Sequence, residues 1–174
     1  MTKALFFDID GTLVSFRTHE IPASAVEALS AAKAKGHRIF IATGRPRVII
    51  NNLGPLQERG LIDGYVTMNG AYCFVGDEVI YKSAIPTDDV RTLTGYCARH
   101  GIPCIVVGEH TICVCQPDER VQQIFHEHLR VTAPIPDTPL HEAIDGKEIF
   151  PPAPFRDEEQ EAVIAPSLTC CEMG

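Results

Sequence analysis

Two aspartates, Asp8 and Asp10, stand one residue apart at the end of the apolar run in FFDIDGTLV, residues 6–14. Charged side chains are seldom left in such a run without a partner or a metal. A spacing of two places both carboxylates on one side of an extended backbone, where they repel each other unless a cation joins them. Carboxylate oxygens are hard ligands that suit Mg²⁺, so the pair predicts a magnesium site.

A second polar motif, Thr43-Gly44-Arg45, ends the apolar run HRIFIATG. Ligands of parallel sheets bind outside the carboxyl ends of the strands, so the two motifs are expected to face one crevice. Backbone N–H groups after Asp8 and near Gly44 offer donors for an anion. Carboxylates, a divalent cation and an anion site together predict phosphoryl transfer. One carboxylate would attack phosphorus and the other would act as acid and base, while Thr43 and Gly44 hold phosphoryl oxygens.

The acidic motif has two other interpretations. An Asx-type turn would explain Asp-x-Asp-Gly-Thr as a loop without chemistry. A calcium loop would need acids or amides at regular later positions, and Leu13, Val14 and Phe16 break that pattern. The apolar strand before the motif and the Thr-Gly-Arg on the next strand favour the phosphoryl-transfer site.

The first half of the chain alternates strand, helix, strand, helix and strand, which predicts an α/β fold with a Rossmann-like parallel sheet. The first strand is expected to be central and buried on both faces, since its run is continuously apolar. Gly54-Pro55 is expected to break the second helix. The five segments are residues 3–10, 22–36, 37–44, 46–60 and 63–70.

The second half changes pattern after a hairpin signal at Gly76-Asp77. It predicts an α+β module, with the chain dividing into residues 1–81 and 82–174. Helices are expected after Pro86 and Pro117. The remaining segments are strands at residues 103–109, 111–116, 147–155 and 168–174, and a short helix at residues 156–166.

Composition limits the classes of function. The net charge of −8 and pI near 5.3 argue against nucleic-acid and anionic-membrane partners. No run reaches the roughly 18 apolar residues of a membrane span, and a cytoplasmic location is expected. The seven cysteines are interpreted as reduced thiols. Structural thiols are favoured over a metal site because the spacing is not C-x-x-C at Cys113, Cys115, Cys170 and Cys171.

The motifs DIDGTLV, IATGR and TMNGA resemble the haloacid dehalogenase superfamily, and more closely its Cof-type sugar-phosphate phosphatases. The resemblance implies an α/β cap inserted after the third core strand. It implies that Asp8 is the nucleophile and Asp10 the acid and base, with Mg²⁺ held by the Asp8 side chain and the Asp10 backbone carbonyl. Small phosphorylated metabolites, most often sugars, would be the substrates. The residues implied to bind phosphate are Ile9, Thr43 and Gly44, and those implied to border the substrate are Arg45, Asn69 and Gly70.

The family pattern also includes a later lysine and a G-D-x-x-N-D motif, and neither is found. The only Gly-Asp, Gly76-Asp77, has Ile80 and Tyr81 where the pattern has Asn and Asp, and Lys147 lies within the cap segment. The chain is therefore interpreted as the N-terminal half of a phosphatase, truncated before the later core motifs. An unpaired sheet edge is expected to favour self-association. The alternatives are a non-catalytic phosphate-binding fragment, half of an enzyme that needs a partner, or a phosphomutase on the same scaffold.

Overall fold

The computed structural model describes residues 1–128, 137–151, 155–157 and 160–164 of the 174-residue chain. The chain divides into two compact units, Met1–Ser83 and Ala84–Gly174. The boundary expected from the sequence, between residues 81 and 82, lies two residues before the observed one.

The first unit is built on a five-stranded sheet whose strands follow one another in chain order. The first three strands are parallel, and the last two are antiparallel hairpin strands. This arrangement confirms the predicted parallel α/β core and the hairpin at Gly76-Asp77. The strands are β1 Ala4–Phe7, β2 Arg38–Ala42, β3 Gly64–Thr67, β4 Tyr72–Val75 and β5 Glu78–Lys82.

The position of β1 differs from the prediction of a central strand buried on both faces. Among the described residues β1 pairs only with β2, so it forms an edge of the sheet. Phe6 is 58% exposed and stacks on Phe40 of β2, with ring centroids 5.0 Å apart. An apolar run does not reveal whether a strand lies on the far side, and the described part of the chain supplies none.

Two helical segments lie between the parallel strands. Helix α1, Ala23–Ala34, starts directly after Pro22 and ends before Gly36, which has a left-handed φ of 81°. The second predicted helix is wrong in its bounds. A 3₁₀ turn, Arg47–Ile49, comes first, and helix α2, Gly54–Glu58, begins at the Gly-Pro pair that is predicted to break the helix. Proline suits the first turn of a helix because the N–H that it lacks would have no intrahelical partner there.

The core of the first unit fixes the strand ends that matter for the site. Ile9, directly between the two aspartates, is fully buried. It packs in one cluster with the inward side chains of β2 and with α1 and the α2 region. The buried residues of this cluster are Ile9, Leu13, Val14, Val26, Leu29, Ile39, Ile41, Leu53, Leu56 and Leu61.

The second unit contains a three-stranded antiparallel sheet in the order β7-β6-β8. A separate antiparallel pair, β9 and β10, replaces the helix predicted at residues 156–166, so that prediction is wrong. The segment forms a strand although it begins with residues that favour a helix, because it pairs with a neighbouring strand and because Val163 and Ile164 favour β structure. The predicted strand at residues 168–174 lies outside the described residues. The elements are α3 Thr87–His100, β6 Cys104–Gly108, β7 Ile112–Cys115, α4 Glu119–Gln123, α5 Leu140–Ile144, β8 Ile149–Phe150, β9 Phe155–Asp157 and β10 Gln160–Ile164, with a π-helical turn Ile124–His128 after α4.

The described cysteines are free thiols: Cys73, Cys97, Cys104, Cys113 and Cys115. Cys104 and Cys115 face each other across β6 and β7. Burial, followed by the neighbouring Cys97 and Cys115, raises the pKa of Cys104 to about 12, so this thiol stays protonated at neutral pH. Within the described ranges, no helix is both long enough and apolar enough to span a membrane.

Candidate active site

The acidic motif forms a tight turn directly after β1. The backbone N–H groups of Leu13 and Val14 both donate to the carbonyl of Ile9, at 3.1 and 2.8 Å. Gly11 donates to the Val14 carbonyl at 2.9 Å and has a left-handed φ of 77°, which favours glycine. The apolar strand, the buried Ile9 and this glycine therefore place Asp8 at the strand end, with its side chain exposed.

Thr43 and Gly44 follow β2 at the same edge of the sheet. Thr43 is 6% exposed, and its N–H extends the strand ladder by donating to the Val66 carbonyl at 2.9 Å. Its side-chain Oγ1 accepts the backbone N–H of Arg45 at 3.1 Å. A hydroxyl that accepts one hydrogen bond still has its own hydrogen to donate. Thr43 is thus placed to donate to an anion in front of the strand ends.

The chain leaves β3 through three consecutive residues with left-handed φ, Met68 at 51°, Asn69 at 54° and Gly70 at 95°. Such conformations are uncommon for non-glycine residues and mark a backbone held by its surroundings. The Asn69 N–H donates to the Thr43 carbonyl at 3.3 Å, and the Met68 N–H donates to the Arg45 carbonyl at 3.3 Å. The loop after β3 is therefore fastened to the loop after β2.

A cleft of about 450 Å³ opens where these three strand ends meet. It brings together five of the residues predicted for the site and adds two that the sequence did not single out, Ala42 and Val66. Ala42 is the last residue of β2 and Val66 is the penultimate residue of β3, so the shared carboxyl edge was the signal that could have found them. The lining residues are Asp8, Ala42, Thr43, Gly44, Val66, Asn69 and Gly70.

Three predicted site residues do not line this cleft. The Ile9 side chain belongs to the core, so only its backbone could serve the predicted phosphate role. Asp10 and Arg45 are bound to each other: Arg45 Nε donates to Asp10 Oδ2 and Nη2 donates to Oδ1, both at 2.8 Å. Arg45 Nη1 donates in addition to the carbonyl of Ile49 at 3.2 Å. The sequence interpretation placed Arg45 beside the substrate and did not foresee this ion pair.

The loop after β1 offers two oxygen ligands to a metal ion. Asp8 offers an exposed carboxylate in the cleft, and Asp10 offers a backbone carbonyl because its side chain is already bound to Arg45. The described part of the chain contains no group of three or more His, Cys, Asp or Glu side chains able to hold a metal ion. Mg²⁺ keeps several waters and is bound by one or two carboxylates together with substrate phosphate, so these two oxygen ligands fit it.

The sequence of the chain matches that of known hydrolases and phosphatases. Residues 5–163 match the profile of the haloacid dehalogenase-like hydrolases. The Bacillus subtilis protein named "Putative phosphatase YkrA" is 30% identical over 165 residues, which are 94% of this chain and 62% of YkrA.

Solved structures agree with the fold. One described as the HAD subclass IIB sugar phosphatase BT4131 is 63% identical with a TM-score of 0.77, over 84% of this chain and 56% of that one. The phosphatase BT1666 from Bacteroides thetaiotaomicron is 31% identical with a TM-score of 0.67, over 86% of this chain and 54% of that one. The chain thus spans between half and two thirds of the length of these relatives.

Proposed function

Because this chain belongs to the haloacid dehalogenase-like hydrolase family, we propose that it carries the nucleophile half of a phosphatase for small phosphorylated metabolites, sugar phosphates above all. The family and the α/β fold inferred from the motifs are confirmed by the family match and by BT4131. One observation carries the proposal: an exposed aspartate, a buried threonine and a glycine line one cleft at the ends of parallel strands.

In the proposed reaction the Asp8 carboxylate attacks phosphorus, and the bond from phosphorus to the ester oxygen breaks. The product is an aspartyl-phosphate on Asp8, which water then hydrolyses to free phosphate. Asp10 gives a proton to the leaving ester oxygen and takes one from the attacking water. The Thr43 hydroxyl and the backbone N–H groups of Gly44 and Ile9 bind the phosphoryl oxygens and stabilise their charge in the transition state.

Mg²⁺ is the proposed cofactor, and the Asp8 carboxylate and the Asp10 backbone carbonyl would hold it. When bound, it neutralises charge between the nucleophile and the phosphate, which otherwise repel each other. Arg45 donates to both side-chain oxygens of Asp10, which leaves the backbone carbonyl of Asp10 as the oxygen that would bind the metal.

A second candidate is a phosphate-binding fragment, or half of an enzyme that needs a partner. The β1 edge gives such a chain a place to pair, so self-association is part of this proposal. A cytoplasmic location also belongs to the proposal and is supported by the free thiols.

Phosphate release from 4-nitrophenyl phosphate and a panel of hexose phosphates, with Mg²⁺ and with EDTA, tests the first candidate. Asp8→Asn removes the nucleophile, and Asp77→Asn is the matched control because that carboxylate is fully exposed on the β4–β5 hairpin. We expect Mg²⁺-dependent release by the chain and by the control, and none by Asp8→Asn. No release from a folded chain that still binds inorganic phosphate would refute turnover and support the second candidate.

A further inference from the structure

We infer that Arg45 is a positioning residue that orients the Asp10 carboxylate, and that it does not contact the substrate. The inference rests on the proposed function, since it assigns a part in the acid and base chemistry of that site. It departs from the role implied by the family resemblance, which placed Arg45 at the border of the substrate.

The contact is bidentate. The guanidinium donates through Nε to Asp10 Oδ2 and through Nη2 to Oδ1, both at 2.8 Å. Two parallel charge-assisted hydrogen bonds fix the plane of a carboxylate as well as its position. A lysine could hold the charge but could not reproduce this geometry.

Burial makes the pairing obligatory. The Arg45 side chain is only 10% exposed, whereas the Asp10 side chain is 36% exposed. A nearly buried guanidinium must find acceptors within the protein, and the third one is the Ile49 carbonyl at 3.2 Å. Three of the five guanidinium N–H donors are engaged within the protein, and Arg45 does not line the cleft in which the phosphate would lie.

Arg45 also joins the three loops that form the site. Its backbone N–H donates to Thr43 Oγ1 at 3.1 Å, and its carbonyl accepts the Met68 N–H at 3.3 Å. Its side chain reaches the loop after β1 through Asp10. The direction of the Asp10 carboxylate is therefore set relative to Thr43 and to the β3 end by one residue.

The pairing is compatible with proton transfer. A carboxylate has about four lone-pair sites, and the two bonds from Arg45 occupy two of them. The other two remain for the ester oxygen and the water, in a direction that the guanidinium fixes. Loss of this orientation reduces the rate more than the binding of substrate, because a misaligned acid still leaves the phosphate site intact.

The test compares two substrates that differ in their need for an acid. A nitrophenolate leaves without a proton, whereas a sugar alkoxide must be protonated. For Arg45→Met we expect kcat/KM, which reports the step that releases the alcohol, to fall about 10–100-fold with a hexose phosphate and less than about 5-fold with 4-nitrophenyl phosphate. The affinity for inorganic phosphate should stay within about 3-fold. Arg45→Lys should lie between, because it keeps the charge without the bidentate contact.

Arg47→Met is the matched control, because Arg47 lies two residues further along the chain and packs elsewhere. Its Cζ lies 4.5 Å from the centroid of the Phe74 ring. It should change neither kcat nor its dependence on the leaving group. An equal loss of kcat/KM for both substrates, together with a weaker affinity for inorganic phosphate, would overturn the inference and restore the substrate contact.

A stability cycle separates this inference from the proposed function. In the 174-residue chain, Asp10→Asn and Arg45→Met should be coupled by at least about 5-fold in the unfolding equilibrium constant. An inactive wild-type chain would refute the proposed function alone, and the cycle would then decide on Arg45. Additive effects would overturn the assignment, and coupling without any leaving-group dependence in an active chain would reduce Arg45 to a structural role.

Discussion

Replacing Gly11 by alanine tests whether the turn between Asp10 and Thr12 needs the conformation observed. Gly11 has a φ of 77°, and a Cβ built there would lie 2.5 Å from Cε2 of Phe16. Two costs are therefore combined: the left-handed backbone of an L residue, and a contact that no real Cβ tolerates. Phe16 is 71% exposed, so its ring can turn away and relieve part of the second cost.

The two costs can be estimated separately. A left-handed conformation costs an alanine roughly 1–2 kcal/mol relative to glycine. Forced contacts add about 1–3 kcal/mol in a tightly packed core, and we take about 1 kcal/mol here because the ring is exposed. The free energy of unfolding of Gly11→Ala should therefore fall by about 2–3 kcal/mol, and the melting temperature by about 4–12 °C for a chain of this size.

Gly36→Ala is the matched control, because Gly36 has a φ of 81° and nothing within 4 Å of the added Cβ. Urea unfolding followed by circular dichroism should show it losing only the backbone term, about 1–2 kcal/mol. In a Phe16→Ala background, Gly11→Ala should cost no more than this control. Wild-type stability of Gly11→Ala, or a cost that does not depend on Phe16, would refute the reasoning.

Three further substitutions probe the site and the two units. Thr43→Val should lower kcat/KM for a phosphate ester about 10–100-fold, because the proposed phosphate donor is lost. It should also lower the free energy of unfolding by about 1 kcal/mol, because the Arg45 N–H loses its acceptor. Thr43→Ser should retain both properties, as measured by steady-state kinetics and urea unfolding. Although burial acts in the opposite direction, the bond from Lys33, at 2.7 Å, lowers the pKa of Asp63. The stabilisation by Asp63 is therefore present above the pKa of the unfolded state and is lost as the pH falls through the pKa of the folded state. Asp63→Asn should lower the free energy of unfolding by about 1 kcal/mol at pH 7 and make it depend less on pH in acid, as measured by urea unfolding. Burial raises the pKa of Cys104 from 9.0 to about 12, so only the thiol of the unfolded chain ionises between these pH values. The free energy of unfolding should therefore fall by about 4 kcal/mol between pH 9 and pH 12. Denaturant titrations of Cys104→Ala should lack this part of the decrease.

The sequence predicts which residues share a cleft where one rule of sheet geometry suffices. Parallel strands share a carboxyl edge, and this alone groups Asp8, Thr43 and Asn69 around one cleft. The rule fixes where the backbone ends and does not fix which side chain turns to which partner. The pairing of Arg45 with Asp10 depends on side-chain torsions and burial, so it escaped sequence reasoning.

The wrong predictions of secondary structure have a common cause, which is that local sequence does not contain the tertiary contacts of a segment. Gly54-Pro55 disfavours a helix interior but suits a helix start, and the local sequence alone does not distinguish the two. Residues 160–164 form a strand because they pair with Phe155–Asp157, a tertiary contact that local propensity does not include. The exposure of β1 likewise depends on what lies beside it.

The most direct test of the central claim is the chemical identity of the phosphorylated residue. The chain is mixed with a phosphate ester and Mg²⁺, quenched in acid during turnover, and its peptides are analysed by mass spectrometry. We expect one phosphoryl group on the side chain of Asp8, absent from Asp8→Asn. Phosphate release with a phosphoryl group on any other residue, or no phosphoryl group on Asp8 in a folded chain, would contradict it.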